Sequence, residues 1–273
     1  MTLRKIILRL IVPAIALGVL CACAETKEPP PEESSTRPTI TVGCDIYPPY
    51  SYTGADGHAT GIDIDIAREA FHRIGYEPEF AYIDWEIKQQ LLADGEIDCV
   101  WSSFSINGRE NDYRWAGPYM ISRQVVAVMP NSDIYELSDL EGKNIAVQAT
   151  TKPEELFLSG ENSGMPHFAN VFSVQDRSLI YPALSKGYVQ AVAAHETSIA
   201  QYMSDYDVEY RILEEPLLSV GLGVAFYIDD TRGIDESLDA ELKDMLADGS
   251  MEEIIGRYLP DAASYLEVDE YEG

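Results

Sequence analysis

The sequence predicts an α/β protein of two lobes with parallel-rich sheets, and three observations carry that prediction. Beyond residue 38, short apolar runs alternate with helix-period patterns, which is the signature of strands joined by helical crossovers. A faint internal repeat divides the chain: Leu92-Ala93-Asp94-Gly95-Glu96-Ile97-Asp98-Cys99-Val100 parallels Leu184-Ser185-Lys186-Gly187-Tyr188-Val189-Gln190-Ala191-Val192. Each copy reads as a helix end, a glycine suited to a left-handed cap, and a buried strand. The strands then end in polar groups, Ser102-Ser103 in one and His195-Glu196 in the other. Open α/β sheets bind ligands at the carboxyl ends of their strands, so these groups are expected to face each other across a cleft.

The elements follow in order. Arg4, Lys5 and Arg9 precede or punctuate an apolar stretch from Ile6 to Leu20, which reads as a secretory signal over residues 1–22 and is short for a spanning helix. Leu20-Cys21-Ala22-Cys23 resembles a bacterial lipobox and makes Cys23 the expected lipid (palmitate) attachment site, with Cys21 the rival. The run AETKEPPPEESSTRP that follows predicts a solvated tether over residues 23–38. Strands are expected at Thr39 to Gly43, Glu79 to Tyr82, Ile97 to Trp101, Gln124 to Met129, Asn144 to Gln148 and Val189 to Ala194. Helices are expected at Asp63 to Ile74, at Trp85 to Ala93 behind an N-cap at Asp84, at Glu236 to Ala247 and at Met251 to Tyr258.

Composition excludes several functions. The 273 residues carry 19 Lys plus Arg against 47 Asp plus Glu, a formal charge of −28. Such a surface repels nucleic acid and anionic lipid, so neither is an expected partner, and membrane contact is expected only through the lipid anchor. His58, His72, His167 and His195 are scattered without metal-ligand spacing, so neither a metal site nor a cofactor is expected. Cys44 and Cys99 lie in apolar strand-like segments and read either as small buried hydrophobes or as a disulfide, a choice that spacing leaves open.

The richest segment runs from Trp101 to Arg109, followed by Trp115-Ala116-Gly117-Pro118-Tyr119. An apolar strand passes into small hydroxyl residues, Ser102, Ser103 and Ser105, and then into Arg109, whose planar fork of donors matches a carboxylate. Arg114 is the rival arginine and lacks the serine lead-in.

These motifs together resemble the extracellular solute-binding proteins of amino-acid ABC transporters, family 3. The resemblance rests on Gly43-Cys44-Asp45-Ile46-Tyr47-Pro48-Pro49-Tyr50, on Gly61-Ile62-Asp63-Ile64-Asp65-Ile66, on Asp84-Trp85, and on Ser102 to Tyr119, and it covers about residues 38 to 262. It implies two lobes joined by two crossing strands: residues 39–129 plus 219–273, and residues 130–218, with hinges near Met129 to Asn131 and Leu217 to Ser219. It implies a bound amino acid, expected to be polar or basic, or a related zwitterion, capture by closure, and delivery to ABC permease subunits on the extracytoplasmic face of the membrane. Arg109 resembles the carboxylate clamp, helped by the backbone of Ser105 and Thr151, although the turn before it is one residue shorter than the family's. Tyr47 and Trp85 match aromatic walls for the ligand side chain, Tyr50 matches either a wall or core packing, and Asp45 reads as a ligand contact or a local turn former. Where the family places an aspartate for the ammonium, this chain has His195 followed by Glu196. Catalysis by such a pair, as in the related cyclohexadienyl dehydratases, and a ligand-sensing lipoprotein are the alternatives.

Overall fold

The computed structural model describes residues 37–159 and 164–268; the expected signal sequence, Cys23 and nearly all of the tether lie outside them. Among the described residues nine strands form one continuous sheet. At one end β1 (Thr39–Cys44) lies between β4 (Glu77–Tyr82) and β5 (Cys99–Ser105), all parallel. At the other, β7 (Asn144–Gln148) lies between β8 (Asn170–Val174) and β9 (Ala191–His195), again all parallel. Two long strands join these ends: β6 (Arg114–Val128) pairs antiparallel with β9 and with β11 (Leu218–Phe226), and β11 pairs antiparallel with β5. A short strand, β10 (Arg211–Ile212), adds to β6, and β2 (Tyr52–Thr53) and β3 (Ala59–Thr60) form a separate hairpin.

Helices cover both faces at each end. On the first lobe α1 (Ile62–Arg73), α6 (Ile234–Asp248) and α7 (Ser250–Ile255) pack over Trp101, Tyr119 and Phe226, while Trp85, Phe104 and Tyr113 fill the opposite face, on the side of α2 (Lys88–Asp94). On the second lobe, α3 (Lys152–Leu158) covers one face, and α4 (Ile180–Ser185) with α5 (Glu196–Tyr206) covers the other. Val126 and Val128 belong to one core cluster, Val125 and Ala127 to the other. A strand buried on both faces needs apolar residues at every position, and hence reads as an unbroken apolar run.

Three elements differ from the sequence expectations. β5 continues past Trp101 to Ser105, because antiparallel pairing with β11 (Ser105 with Leu222, Phe104 with Gly223) supplies ladder partners beyond its apolar part. β6 begins at Arg114, ten residues ahead of the expected strand; Gly117, Pro118, Ser122 and Arg123 hide its first half, and pairing to β11 overrides them. The helix expected from Trp85 opens instead with a 3-10 turn, Trp85–Ile87, capped by Asp84 accepting from the Glu86 N–H at 3.0 Å. Cys44 and Cys99 are both free and buried, which resolves the open choice in favour of packing. Among the described residues no helix is long and apolar enough to cross a membrane.

Candidate functional site

The carboxyl ends of β5, β7 and β9 meet around a small, partly enclosed cavity. Its first wall is built from β5. Ser102 Oγ accepts from the Asp45 N–H at 3.1 Å and bonds Ser51 Oγ at 2.9 Å. Ser103 adopts φ 44°, a conformation costly for a residue with a Cβ. It is held there by Asp63 at the start of α1, whose carboxylate accepts from the Ser103 N–H at 2.6 Å and from Tyr119 Oη at 2.7 Å. Burial pushes the Asp63 carboxyl up to about 7.

Arg109 follows a tight turn in which its N–H donates to the Ile106 carbonyl at 2.8 Å and Gly108 takes φ 69°. Despite the short turn its side chain reaches the cavity. The guanidinium lies over the Phe104 ring at 5.4 Å and makes only long contacts, 3.4 Å to the Ser105 carbonyl and 3.5 Å to Glu155. Its burial lowers its pKa. A buried cation with weakly engaged donors is suited to receive an anion. Arg114, by contrast, is spent on α6, where it pairs with Asp235 at 2.8 Å and Glu236 at 3.1 Å. Trp85 lines the cavity beside Phe104, and Lys88 lies over its ring, 4.7 Å from the centroid. Burial, then the charge of Arg109, lowers Lys88 to about 8.

The second wall is uncharged at its centre. His195 ends β9, and its two ring nitrogens are both occupied, Nδ1 by Ser122 Oγ and Nε2 by Gln124 Nε2, each at 2.8 Å. An amide nitrogen only donates, so Nε2 accepts and the proton sits on Nδ1. Burial, reinforced by Arg177, holds the imidazole down to about 3 and hence neutral. Gln148 ends β7 and donates to Asp45 at 2.7 Å and to the Gln175 carbonyl at 3.2 Å. Arg177 stacks on the Tyr47 ring, 3.0 Å from its centroid, and reaches Asp45 at 3.4 Å. Thr150, Thr151 and Lys152 complete this side.

Bonds across the cleft hold the two walls together: the His195 N–H to Tyr47 Oη at 3.0 Å, Tyr50 Oη with Thr197 at 2.7 Å, and Lys88 Nζ to Thr150 Oγ1 at 3.0 Å. Of the residues singled out from sequence, Tyr47, Trp85, Ser102, Ser103, Ser105, Arg109, Thr151 and His195 line the cavity. Two do not. Asp45 lines an adjoining groove, drawn off by Gln148 and Arg177. Glu196 pairs with Arg123 at 3.2 Å, because β6 sets that arginine beside the start of α5, and so it brings no charge to the cavity. With Glu196 turned away and both His195 nitrogens engaged, these two residues do not form an acid–base pair. Tyr50 is core, its hydroxyl bonded to Ser122 and Thr197.

Sequence reasoning missed Gln124, Gln148, Lys152 and Arg177. Gln148 carried the same signal as Ser102 and His195, a polar residue closing an apolar parallel strand. Gln124 opens a strand run that is otherwise apolar, and that too is a signal. Arg177 sits in a polar turn with nothing to distinguish it.

Comparison with known proteins agrees with this geometry. The chain is 26% identical over 218 residues to the glutamate-binding protein GluB of Corynebacterium glutamicum, covering 73% of this chain and 71% of the relative. It is 28% identical over 230 residues to the histidine-binding periplasmic protein of Salmonella typhimurium, covering 80% and 86%. The solved structure of an ancestral arginine-binding protein bound to arginine superposes with a TM-score of 0.74 at 24% identity, covering 82% of this chain and all of that one, and shows the shared fold. The sequence profile of one family matches residues 40–261, and the chain belongs to the bacterial extracellular solute-binding proteins, family 3.

Proposed function

We propose that this protein is the extracytoplasmic capture component of an ABC importer for an amino acid, holding its solute between two lobes and delivering it to membrane permease subunits. The observation that supports this best is Arg109, largely buried and only weakly engaged, facing a wall of hydrogen-bonding groups across the cavity. Ser102, Ser103, Ser105 and Thr151 would surround the solute, Tyr47 and Trp85 would flank its side chain, and His195 would close the far side as a neutral residue. Residues 39–129 with 219–273 would form one lobe and residues 130–218 the other, with β6 and β11 as the connecting hinge. A solute touching both walls favours the closed form by its differential affinity for that state. Cys23 would carry the lipid, and residues 24–38 would tether the binding unit to the outer face of the membrane. The chain would do no chemistry, since the groups around the cavity are fitted to hold a solute rather than to move its protons.

The test is a thermal-shift screen against amino acids. A bound solute at a hundred times its Kd stabilises the folded state by about 2.7 kcal/mol. Arg109→Ala is expected to abolish that response, and Arg114→Ala to preserve it. An unchanged response in the Arg109 variant would remove that residue from the site. Turnover of a prephenate-like substrate would replace this reading with an enzymatic one, and intact uptake in a deletion strain would replace it with a sensory one.

A further inference from the structure

The balance of charge around the cavity narrows the solute further than its family does. Arg109, Lys152 and Arg177 line the cavity, and among the described residues no Asp or Glu lines it; Asp45, Asp84, Asp176 and Asp205 line the adjoining groove. Their carboxylate partners approach from outside: the largely exposed Glu155 for Lys152 and Arg109, and Asp45 from the neighbouring groove for Arg177. Lys88 stands directly behind Trp85, and among the described residues it forms no ion pair, donating instead to the Trp85 carbonyl and Thr150 Oγ1 at 3.0 Å each. A cationic solute would add its charge to these with no acid to face it.

The residues that line the cavity also carry unanswered polar atoms of both kinds. Gln124 and Gln148 are each 3% exposed, and the Oε1 of each is buried without a partner. Their nitrogens are already committed, Gln124 to His195 and Gln148 to Asp45 and Gln175. A buried acceptor left unpaired is costly, so two of them on one cavity call for a donor. Trp85 Nε1 on the first wall and Arg177 Nε, beside Gln148 on the second, are buried donors without partners. An ammonium answers the first pair and an anion the second.

We propose that the solute is an acidic amino acid, with one carboxylate on Arg109, a second carboxylate at Trp85 Nε1 and Arg177, and its ammonium on the amide oxygens of Gln124 and Gln148. This rests on the amino-acid reading above and deepens it. The ammonium is met by neutral acceptors, which suffices because the solute's own second carboxylate settles among cations. His195 contributes by fixing Gln124, since the bond to its Nε2 leaves Gln124 Oε1 free. A neutral amino acid would leave Trp85 and Arg177 unanswered, and a dicarboxylate without an amine would leave the two amide oxygens unanswered.

Titration calorimetry on the purified protein, dialysed free of small molecules, decides the matter with glutamate, aspartate, glutamine, asparagine, arginine, histidine, glutarate and succinate as probes. Glutamate or aspartate is expected to bind at least about tenfold tighter than its own amide and than arginine or histidine, since only the acid makes charge-assisted hydrogen bonds with both carboxylates. Gln124→Leu is expected to weaken the acidic amino acid by about tenfold with little effect on the dicarboxylates, and Arg177→Gln to bring acid and amide within about threefold of each other. Unliganded melting curves check that each variant folds, and the two variants act on different groups, so loss of one leaves the other decisive. Tightest binding by a neutral or cationic amino acid overturns the inference and leaves the amino-acid reading standing. Equal binding of a dicarboxylate overturns the role of Gln124 and Gln148 and with it the inference. No binding of any amino acid overturns the amino-acid reading itself.

Discussion

The stretches from Asp84 to Ser103 and from Asp176 to His195 are the same piece of structure built twice with different chemistry. In each an aspartate caps a 3-10 turn, accepting from the N–H two residues on: Asp84 from Glu86 at 3.0 Å, Asp176 from Ser178 at 2.9 Å. A short helix follows, then a glycine with positive φ, 70° at Gly95 and 72° at Gly187, then a buried strand. At one constant offset Trp85 corresponds to Arg177, Ser102 to Ala194 and Ser103 to His195. The conserved geometry is what the backbone requires, a cap acceptor and a left-handed residue without a Cβ. The side chains at the cleft carry no such requirement, and there the copies diverge, one into hydroxyls and an aromatic, the other into a neutral imidazole and a cation. Scaffold and solute choice are therefore separable.

The largest expected effect breaks that comparison at its supports. Asp63 behind the first wall satisfies two buried donors, the Ser103 N–H and Tyr119 Oη. Asp63→Ala strands both, and at about 1–3 kcal/mol each it is expected to lower stability by about 2–6 kcal/mol in urea unfolding. Gln124 behind the second wall bonds His195 with its nitrogen and has an unpaired oxygen, so Gln124→Leu strands one buried acceptor, His195 Nε2, and removes another, its own Oε1. That change is expected to stay within about 1 kcal/mol. Similar losses in both variants would mean that the second wall is as tightly braced as the first.

The unequal bracing explains what was legible in the sequence. The alternation of strands and helices, the repeat and the lining residues on β5 could be read, because a strand ending in Ser102-Ser103 and leading to Arg109 concentrates polar groups in a short apolar context. Asp63 could be placed at a helix start, yet not beneath Ser103, since that contact spans forty residues and depends on the strained φ of Ser103. The first half of β6 was hidden because its partner β11 lies a hundred residues on, and strand pairing overrode Gly117 and Pro118. Arg177 was invisible alone; it becomes informative only when the repeat is extended back to Asp176 and set against Asp84-Trp85. Glu196 misled because adjacency in sequence to His195 says nothing of direction, and the start of α5 turns it toward Arg123.

The two walls also titrate in opposite senses, which gives an intermediate effect. Asp63 is raised by burial to about 7 from 3.8, so the folded state keeps a proton that the unfolded chain loses; its contribution to stability is full below about pH 3.8 and is lost as pH rises through about 7. His195 is lowered by burial to about 3 from 6.5, so its contribution is present above about pH 6.5 and is lost as pH falls through about 3. Between about pH 4 and 6.5 the two slopes oppose each other. Asp63→Asn keeps an acceptor for Ser103 and is expected to leave stability rising with pH across that window. His195→Gln is expected to leave it falling. Unfolding free energies measured from pH 4 to 8 read both slopes, and parallel profiles for the two variants would show that neither group dominates its wall.

The smallest expected effect tests whether the two copies are equivalent where their backbones are. Asp84→Ala and Asp176→Ala each remove a cap acceptor from an exposed turn, a loss of about 1 kcal/mol. Asp176 also bonds Ser178 Oγ at 2.6 Å, but that hydroxyl is exposed and water replaces the contact, so the two stability losses should agree within about 0.5 kcal/mol. Asparagine at either position retains an acceptor and is expected to recover most of the loss; failure to recover would assign the effect to charge. Solute binding should then separate the copies. Loosening the Asp84 turn disturbs Trp85, and hence solutes of every charge. Loosening the Asp176 turn disturbs Arg177, whose hold on Asp45 and stack on Tyr47 depend on the turn that presents it, and should weaken acidic solutes more than neutral ones. Equal stability losses with unequal selectivity would place the difference between the walls in Trp85 and Arg177 themselves.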